Sequence, residues 1–369
     1  MRVLIAPDCF GGTLTAPEAA AAIAAGWRAG APDDELTQCP LADGGPGFVD
    51  VLHAALGGEL RYRSVAGPLG ASVDAVWLEH EGTAYLECAQ ACGLTLVSKD
   101  DRNALAASTV GVGELVAHAL EAKVHTIVVG LGGSATTDGG AGMLRALGAI
   151  PVGADGEPLP TGGGSLVDAV RIEGRVDLGD VKLVAASDVE NPLLGKLGAA
   201  RVFGPQKGAD DLAVRRLERS LSRWADLLVD IAGRDVRDEQ GAGAAGGLGA
   251  ALLALGATVE SGAGMVRRLT GLDTALAEAQ LVVTGEGSFD FQSLRGKLVT
   301  RVAGAAAERG TPCVVLAGQV SVGRRRAAAV GVDAAYSVAD HVGSAEASLA
   351  DPGGTLTSLA KHVSAQWHR

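Results

Sequence analysis

Five apolar runs in this chain lead into glycine and a carboxylate or hydroxyl, an arrangement that constrains the fold more than any other feature. They are Val3-Leu4-Ile5-Ala6-Pro7 before Asp8, Pro40-Leu41-Ala42 before Asp43-Gly44-Gly45, and Ile127-Val128-Val129-Gly130 before Ser134 and Asp138. The others are Leu183-Val184-Ala185-Ala186 before Ser187-Asp188, and Leu281-Val282-Val283-Thr284 before Gly285-Glu286. Short uninterrupted runs of Val, Ile and Leu are the mark of strands buried on both faces, as in parallel sheets. Ligands gather beyond the carboxyl ends of such strands. Acidic groups on glycine-rich loops at one sheet edge suit a polyanionic substrate carrying magnesium, because Mg2+ takes carboxylate oxygens and glycine amides approach phosphate closely. The pattern predicts an α/β enzyme.

At 369 residues the chain is longer than one core usually covers, so two domains are expected. Hydrophobic residues make up 47% but aromatics only 3%, so burial must come from close-packed Ala, Val and Leu, as in helices laid on a sheet. A formal charge of -12 and the lack of a basic stripe argue against nucleic-acid partners and anionic membranes. Cys9, Cys39, Cys88, Cys92 and Cys313 are scattered and odd in number, which fits a reducing cytoplasm. The run Val3 to Ala6 meets Asp8 at once, so no signal peptide is expected. Gly241 to Val259 is uncharged but glycine- and alanine-rich, and reads as a buried helix after a glycine loop rather than a membrane span.

The order of elements predicts a discontinuous layout. A strand at 2–7 precedes a helix opening at Thr15-Ala16-Pro17-Glu18, a capping box with proline in the first turn. A strand at 36–41 and a helix from Phe48 to Leu56 follow. Alternating residues across 58–97 predict antiparallel hairpins. Helical spacing returns at 109–122 and 209–232, and β-α steps resume after Thr284 with a helix at 297–309 and strands at 313–317 and 334–338. The expected division is 1–60 plus 278–369, with 106–150 as an optional part, forming a parallel sheet with flanking helices. Residues 61–277 form an inserted mixed-sheet α/β domain, with the active site in the cleft between the two.

Gly132-Gly133-Ser134-Ala135-Thr136-Thr137-Asp138-Gly139-Gly140 is the densest loop, and its amides predict a phosphate nest. Gly130 to Ala135 also satisfies G-x-G-x-x-A, which keeps a nicotinamide-dependent oxidoreductase as a second reading, although Asp138 interrupts the expected helix start. No P-loop motif occurs. Phosphoryl transfer by another route needs a metal, a cation and a base near the accepting hydroxyl. Asp188, Asp290, Glu286 and Asp43 are candidates for metal or base, and Lys207 and Lys297 for the cation. The histidines, with His362 and His368 near the end, form no triad-like cluster.

These stretches, together with Ser187-Asp188-Val189-Glu190-Asn191-Pro192-Leu193, Val202-Phe203-Gly204-Pro205-Gln206-Lys207-Gly208, Gly241-Ala242-Gly243-Ala244-Ala245-Gly246-Gly247 and Thr284-Gly285-Glu286-Gly287, resemble the bacterial glycerate kinase family that is unrelated to P-loop kinases. The resemblance covers nearly the whole chain. It implies two α/β domains, one flavodoxin-like, and ATP-dependent phosphorylation of D-glycerate, commonly to 2-phosphoglycerate. Gly11, Pro46, Ser288 and Val299 stand where the family commonly has Lys, Glu, Arg and Pro, which marks a divergent subgroup and keeps open a non-catalytic binding protein derived from the kinase.

The expected mechanism places ATP and Mg2+ with their phosphates on Gly132, Gly133, Ser134, Thr136, Thr137, Asp138 and Gly139, and with Gly285 nearby. Lys207 neutralises the transferring group and Asp188 or Asp290 takes the hydroxyl proton. Asp8, Asp43, Gly44, Gly45, Asn191, Glu286 and Lys297 hold the small-molecule substrate, with Asp188 and Glu286 as metal ligands. A homo-oligomer is compatible with the sequence.

Overall fold

Runs of Val, Leu and Ile from both ends of the chain pair into one parallel sheet in the computed structural model, which describes residues 1–367. His368 therefore lies outside the described residues. The strands are Arg2–Ile5, Glu35–Gln38, Leu281–Phe289, Cys313–Val320 and Ala334–Ser337. Numbered in chain order they lie 2-1-3-4-5, the order of flavodoxin, in line with the flavodoxin-like domain that the family resemblance implied. Every neighbouring pair is parallel, with Leu4 opposite Val282 and Val283 opposite Val314. Val3, Ile5, Val283, Val314 and Leu316 share one apolar cluster with Ile23, Trp27, Leu356 and Val363 of the helices Ala16–Gly30 and Pro352–Trp367. The first helix starts where predicted, because Thr15 accepts from Glu18 N and the Glu18 carboxylate returns to Thr15 N. Trp27 is fully buried, and its indole N–H is satisfied by Asp34 at 2.9 Å.

The second sheet belongs to a separate unit formed by Asp43–Val49 and Gly57–Gly262, the first unit being Met1–Ala42, Asp50–Leu56 and the chain from Ala263 onward. Four parallel strands, Thr258–Glu260, Lys182–Ala186, Thr126–Gly130 and Thr83–Glu87, continue into the antiparallel strands Ser72–His80 and Glu59–Ala66. The antiparallel part is the hairpin material read from residue alternation. Its core joins Trp77, Leu86, Ile127, Val129 and Leu183 to Leu115, Trp224 and Leu252 of the helices Val110–Glu121, Asp211–Ala232 and Leu248–Ala254. Full burial of each large aliphatic side chain contributes roughly 1.5–3 kcal/mol.

Several expectations change. Residues 263–277 join the first unit, and 43–49, 57–60 and 106–150 the second, where Glu59–Ala66 and Thr126–Gly130 are strands of the mixed sheet. Pro40-Leu41-Ala42 is not a strand: Glu35–Gln38 ends ahead of Pro40, which has no N–H to give a ladder, although Leu41 N still bonds Pro7 O at 2.9 Å. The acidic loops do not share one sheet edge: Asp8 and Glu286 belong to the first sheet, Asp138 and Asp188 to the second. Among the described residues no helix is long and apolar enough to cross a membrane.

Candidate active site

Where strand order reverses, the first sheet opens. The chain leaves Arg2–Ile5 next to Leu281–Phe289, and Ala6 N and Asp8 N continue the ladder to Val283 O and Gly285 O, each at 2.8 Å. This is the switch point at which ligands settle in such sheets. Gly285 and Glu286, read from sequence as a loop, lie inside the nine-residue strand Leu281–Phe289. Strand geometry fixes Glu286 in place. Its carboxylate is buried, one oxygen lying 3.4 Å from Lys297 Nζ, while Oε1 is sealed from solvent with no hydrogen-bond donor among the described residues. Burial pushes the Glu286 carboxyl above its usual range, and neighbouring Ser293 and Lys297 draw it partly back. The Ser293 hydroxyl spends its proton on Ser288 O at 3.2 Å. Asp8, Phe10, Glu286, Lys297, Leu349 and Leu356 line a pocket of about 460 Å3 here.

Asp290 lies just past this strand but is not among the residues lining the pocket. Its Oδ1 accepts from Gln292 N at 2.7 Å and Ser293 N at 3.3 Å, and these amides hold its carboxyl below the usual range. Lys297 occupies the N-cap position of the helix Leu298–Ala307, half-exposed, without a capping bond from its side chain.

The densest glycine loop, in the second unit, is packed more tightly than a phosphate cradle requires. Thr136, Thr137, Asp138 and Gly139 are buried, and only Gly132 and Gly133 keep appreciable exposure. A Cβ on Gly139 would meet the Trp224 ring at 2.4 Å, so this glycine serves packing. Asp138 accepts from Thr109 N at 2.8 Å, Thr109 Oγ1 at 2.9 Å, Gly142 N at 3.1 Å and Gly140 N at 3.2 Å. Burial raises its carboxyl above the usual range while these donors oppose the shift. Lys207, also buried, donates to Ser134 Oγ at 2.9 Å and Thr136 O at 2.6 Å. Desolvation brings its ammonium down to about 8, against the pull of Cys92, Cys88 and Asp138. Both charged groups therefore brace the loop from beneath.

Gly44 and Gly45 let a second loop lie against the first. A Cβ on Gly132 would stand 2.3 Å from Gly45 Cα, and Gly44, at φ +89°, passes close to Ala186 O. Glu87, at the end of the strand Thr83–Glu87, accepts from Gly47 N at 3.0 Å and fixes this loop, a buried role that no motif announced. Asp43 is exposed, with Gly45 N on its Oδ1 at 3.0 Å. Asp188 follows the strand Lys182–Ala186, half-buried, and accepts from Ser261 Oγ at 2.5 Å. Asn191 donates to Leu197 O at 2.8 Å. Among the described residues no three His, Cys, Asp or Glu side chains stand together as a metal site.

The G-x-G-x-x-A reading loses its basis, because the helix after this loop begins only at Ala141 and is six residues long. A flavodoxin-ordered sheet, a second mixed sheet and carboxylates set behind glycine turns at strand ends, with no P-loop, define an α/β enzyme acting on small polar molecules. The chain belongs to the glycerate kinase family, whose model matches residues 3–368, and is thus a kinase, a phosphotransferase acting on an alcohol group. It is 40% identical to the glycerate 2-kinase of Escherichia coli K12 over 99% of this chain and 97% of the relative. An uncharacterized protein of Mycobacterium bovis is 50% identical over 99% of this chain and 91% of its own length. A crystal structure assigned as glycerate kinase 2 from Salmonella typhimurium LT2 superposes with a TM-score of 0.83 at 39% identity, covering 100% of this chain and 98% of that one.

Proposed function

We propose that the chain transfers a phosphoryl group from ATP, with Mg2+, to D-glycerate, giving phosphoglycerate with the 2-isomer as the principal product. The observation that carries this reading is the match at 40% identity, along 99% of the chain, to a protein named glycerate 2-kinase. In it Asp188 is the base that takes the hydroxyl proton. Asp290 is the weaker candidate, because its amide donors stabilise the ionised form. The exposed Gly132–Gly133 edge meets the nucleotide phosphates, and Lys207 and Asp138 act on that edge as positioning residues through the loop they brace. Asp43, Gly44, Gly45 and Asn191 orient the substrate.

With no cluster of three ligands, the residues present fit an ion that brings phosphate oxygens with it, as Mg2+ commonly does when one or two carboxylates hold it. Of the carboxylates expected to take the ion, Glu286 is buried beside Lys297 and Asp188 serves here as the base, so Asp43, exposed and tied by its Oδ1 to Gly45 N, would hold it. When bound, Mg2+ neutralises charge on the phosphates. ADP release is expected to depend on D-glycerate, and Asp188→Asn to slow it by about two orders of magnitude or more. Release that ignores D-glycerate would remove the reading, and unchanged turnover in Asp188→Asn would remove the base.

A further inference from the structure

The turn Pro205–Lys207 lies at the surface of the second unit yet sends its lysine inward. Pro205, Gln206 and Gly208 are exposed, whereas Lys207 keeps only 3% of its surface and ends on Ser134 Oγ and Thr136 O. An ammonium gains solvation by swinging out to water, so its backbone must be held in place. The turn's own bonds do not hold it, because Lys207 N to Gly204 O, Gly208 N to Pro205 O and Ala209 N to Gly204 O all stay inside the turn. A tie from outside comes from Arg102, whose Nη1 donates to Gln206 O at 3.1 Å. Beside it Gly208, at φ +90°, lies so close that a Cβ would stand 2.4 Å from Arg102 O. Arg102 Nε is sealed from water without an acceptor among the described residues, a cost that a loosely resting surface arginine would avoid by turning outward.

The segment that carries Arg102 is itself fastened to the glycine loop. Ala135 N bonds Cys92 O and Leu94 N bonds Gly133 O, each at 2.7 Å. A closed circuit results, from the loop to residues 92–94, along the chain to Arg102, across to Gln206, and back through Lys207 to Ser134 and Thr136. We infer that Arg102 is a positioning residue for phosphoryl transfer: its clasp on the turn Pro205–Lys207 keeps the ammonium beneath the loop and so sets the Gly132–Gly133 edge. What that edge meets rests on the kinase reading, whereas the clasp stands on the circuit itself. Arg102 acts through Lys207 and not on the reacting atoms.

Two measurements on the full chain test this. Acylation by acetic anhydride, read by mass spectrometry, should modify Lys207 of the wild type at least about tenfold more slowly than the exposed Lys361. Arg102→Met, which keeps the stem but no donor, should cut that protection several-fold while Lys361 and the cooperative melting transition stay as they were. Arg102→Lys, which keeps a donor, should restore most of it, and Gly208→Ala, whose Cβ would collide with Arg102 O, should expose Lys207 as Arg102→Met does. With ATP and D-glycerate, Arg102→Met should lower kcat/KM for ATP about tenfold and add nothing in a Lys207→Met background. A Lys207 as slow to acylate in Arg102→Met as in the wild type, or a further loss from Arg102→Met on top of Lys207→Met, would overturn the inference. Phosphoglycerate made at wild-type efficiency by Arg102→Met with Lys207 exposed would keep the kinase reading and remove the positioning role. Protection lost as described in a chain that forms no phosphoglycerate would keep the clasp and remove the kinase reading.

Discussion

Asp138 has no exposed surface, and the donors that converge on it come from Ser108, Thr109, Gly140 and Gly142. Removing its carboxylate leaves several buried N–H groups without an acceptor, each costing about 1–3 kcal/mol. Asp138→Ala is therefore expected to lower stability by about 3 kcal/mol or more in urea unfolding, and a loss under about 1 kcal/mol would contradict the bracing role. Lys207 offers a test through pH. Its folded value near 8 lies below the ordinary 10.5, so the unfolded chain keeps a proton that the folded chain has released. Stability from this group is therefore fully present above 10.5, falls as pH drops toward 8, and is level below that. Measured against Lys207→Met, the wild type should gain on the order of 2 kcal/mol between about pH 7.5 and 10. A difference that stays level across that interval would show that the ammonium is not desolvated.

At the scale of elements, glycine in a helix has opposite consequences at two places. Gly26 sits in Ala16–Gly30 where a Cβ would stand 2.1 Å from Thr357 O of the helix Pro352–Trp367, so the two helices touch through bare backbone. Gly304 in Leu298–Ala307 has nothing within 4 Å of the same position. Gly26→Ala is expected to destabilise by about 1–3 kcal/mol and Gly304→Ala to stabilise by up to about 1 kcal/mol, read from thermal or urea unfolding. Equal effects would mean that the helix contact is not close-packed. Elements set by local chemistry were legible in the sequence, as the Thr15 capping box and the helix Phe48–Leu56 show. Those set by tertiary pairing were not. Thr258–Glu260 hides at the end of an alanine-glycine run and becomes a strand only through Lys182–Ala186. Leu281–Phe289 outlasts its apolar stretch because Glu286 and Ser288 pair with Ala317 and Gln319 across the ladder.

For the whole molecule, the parallel sheet built from both chain ends and the mixed sheet between them follow from the positions of the apolar runs, which is why the fold was readable. The candidate site was readable only in part. Asp8, Glu286 and Lys297 stood out beside glycine, whereas Phe10, Leu349 and Leu356 reach the same pocket from remote parts of the chain and carry no motif. Glycine density also signals two different things, and at Gly44, Gly132 and Gly139 close packing accounts for it. Everything above turns on whether this molecule phosphorylates glycerate. Phosphorus NMR of a reaction containing the purified chain, ATP, Mg2+ and D-glycerate tests it most directly. A new phosphomonoester signal, assigned by its proton coupling to the 2-position, should grow as ATP gives way to ADP. An ATP spectrum that stays unchanged with D-glycerate present, or ADP and inorganic phosphate with no phosphomonoester, would contradict it.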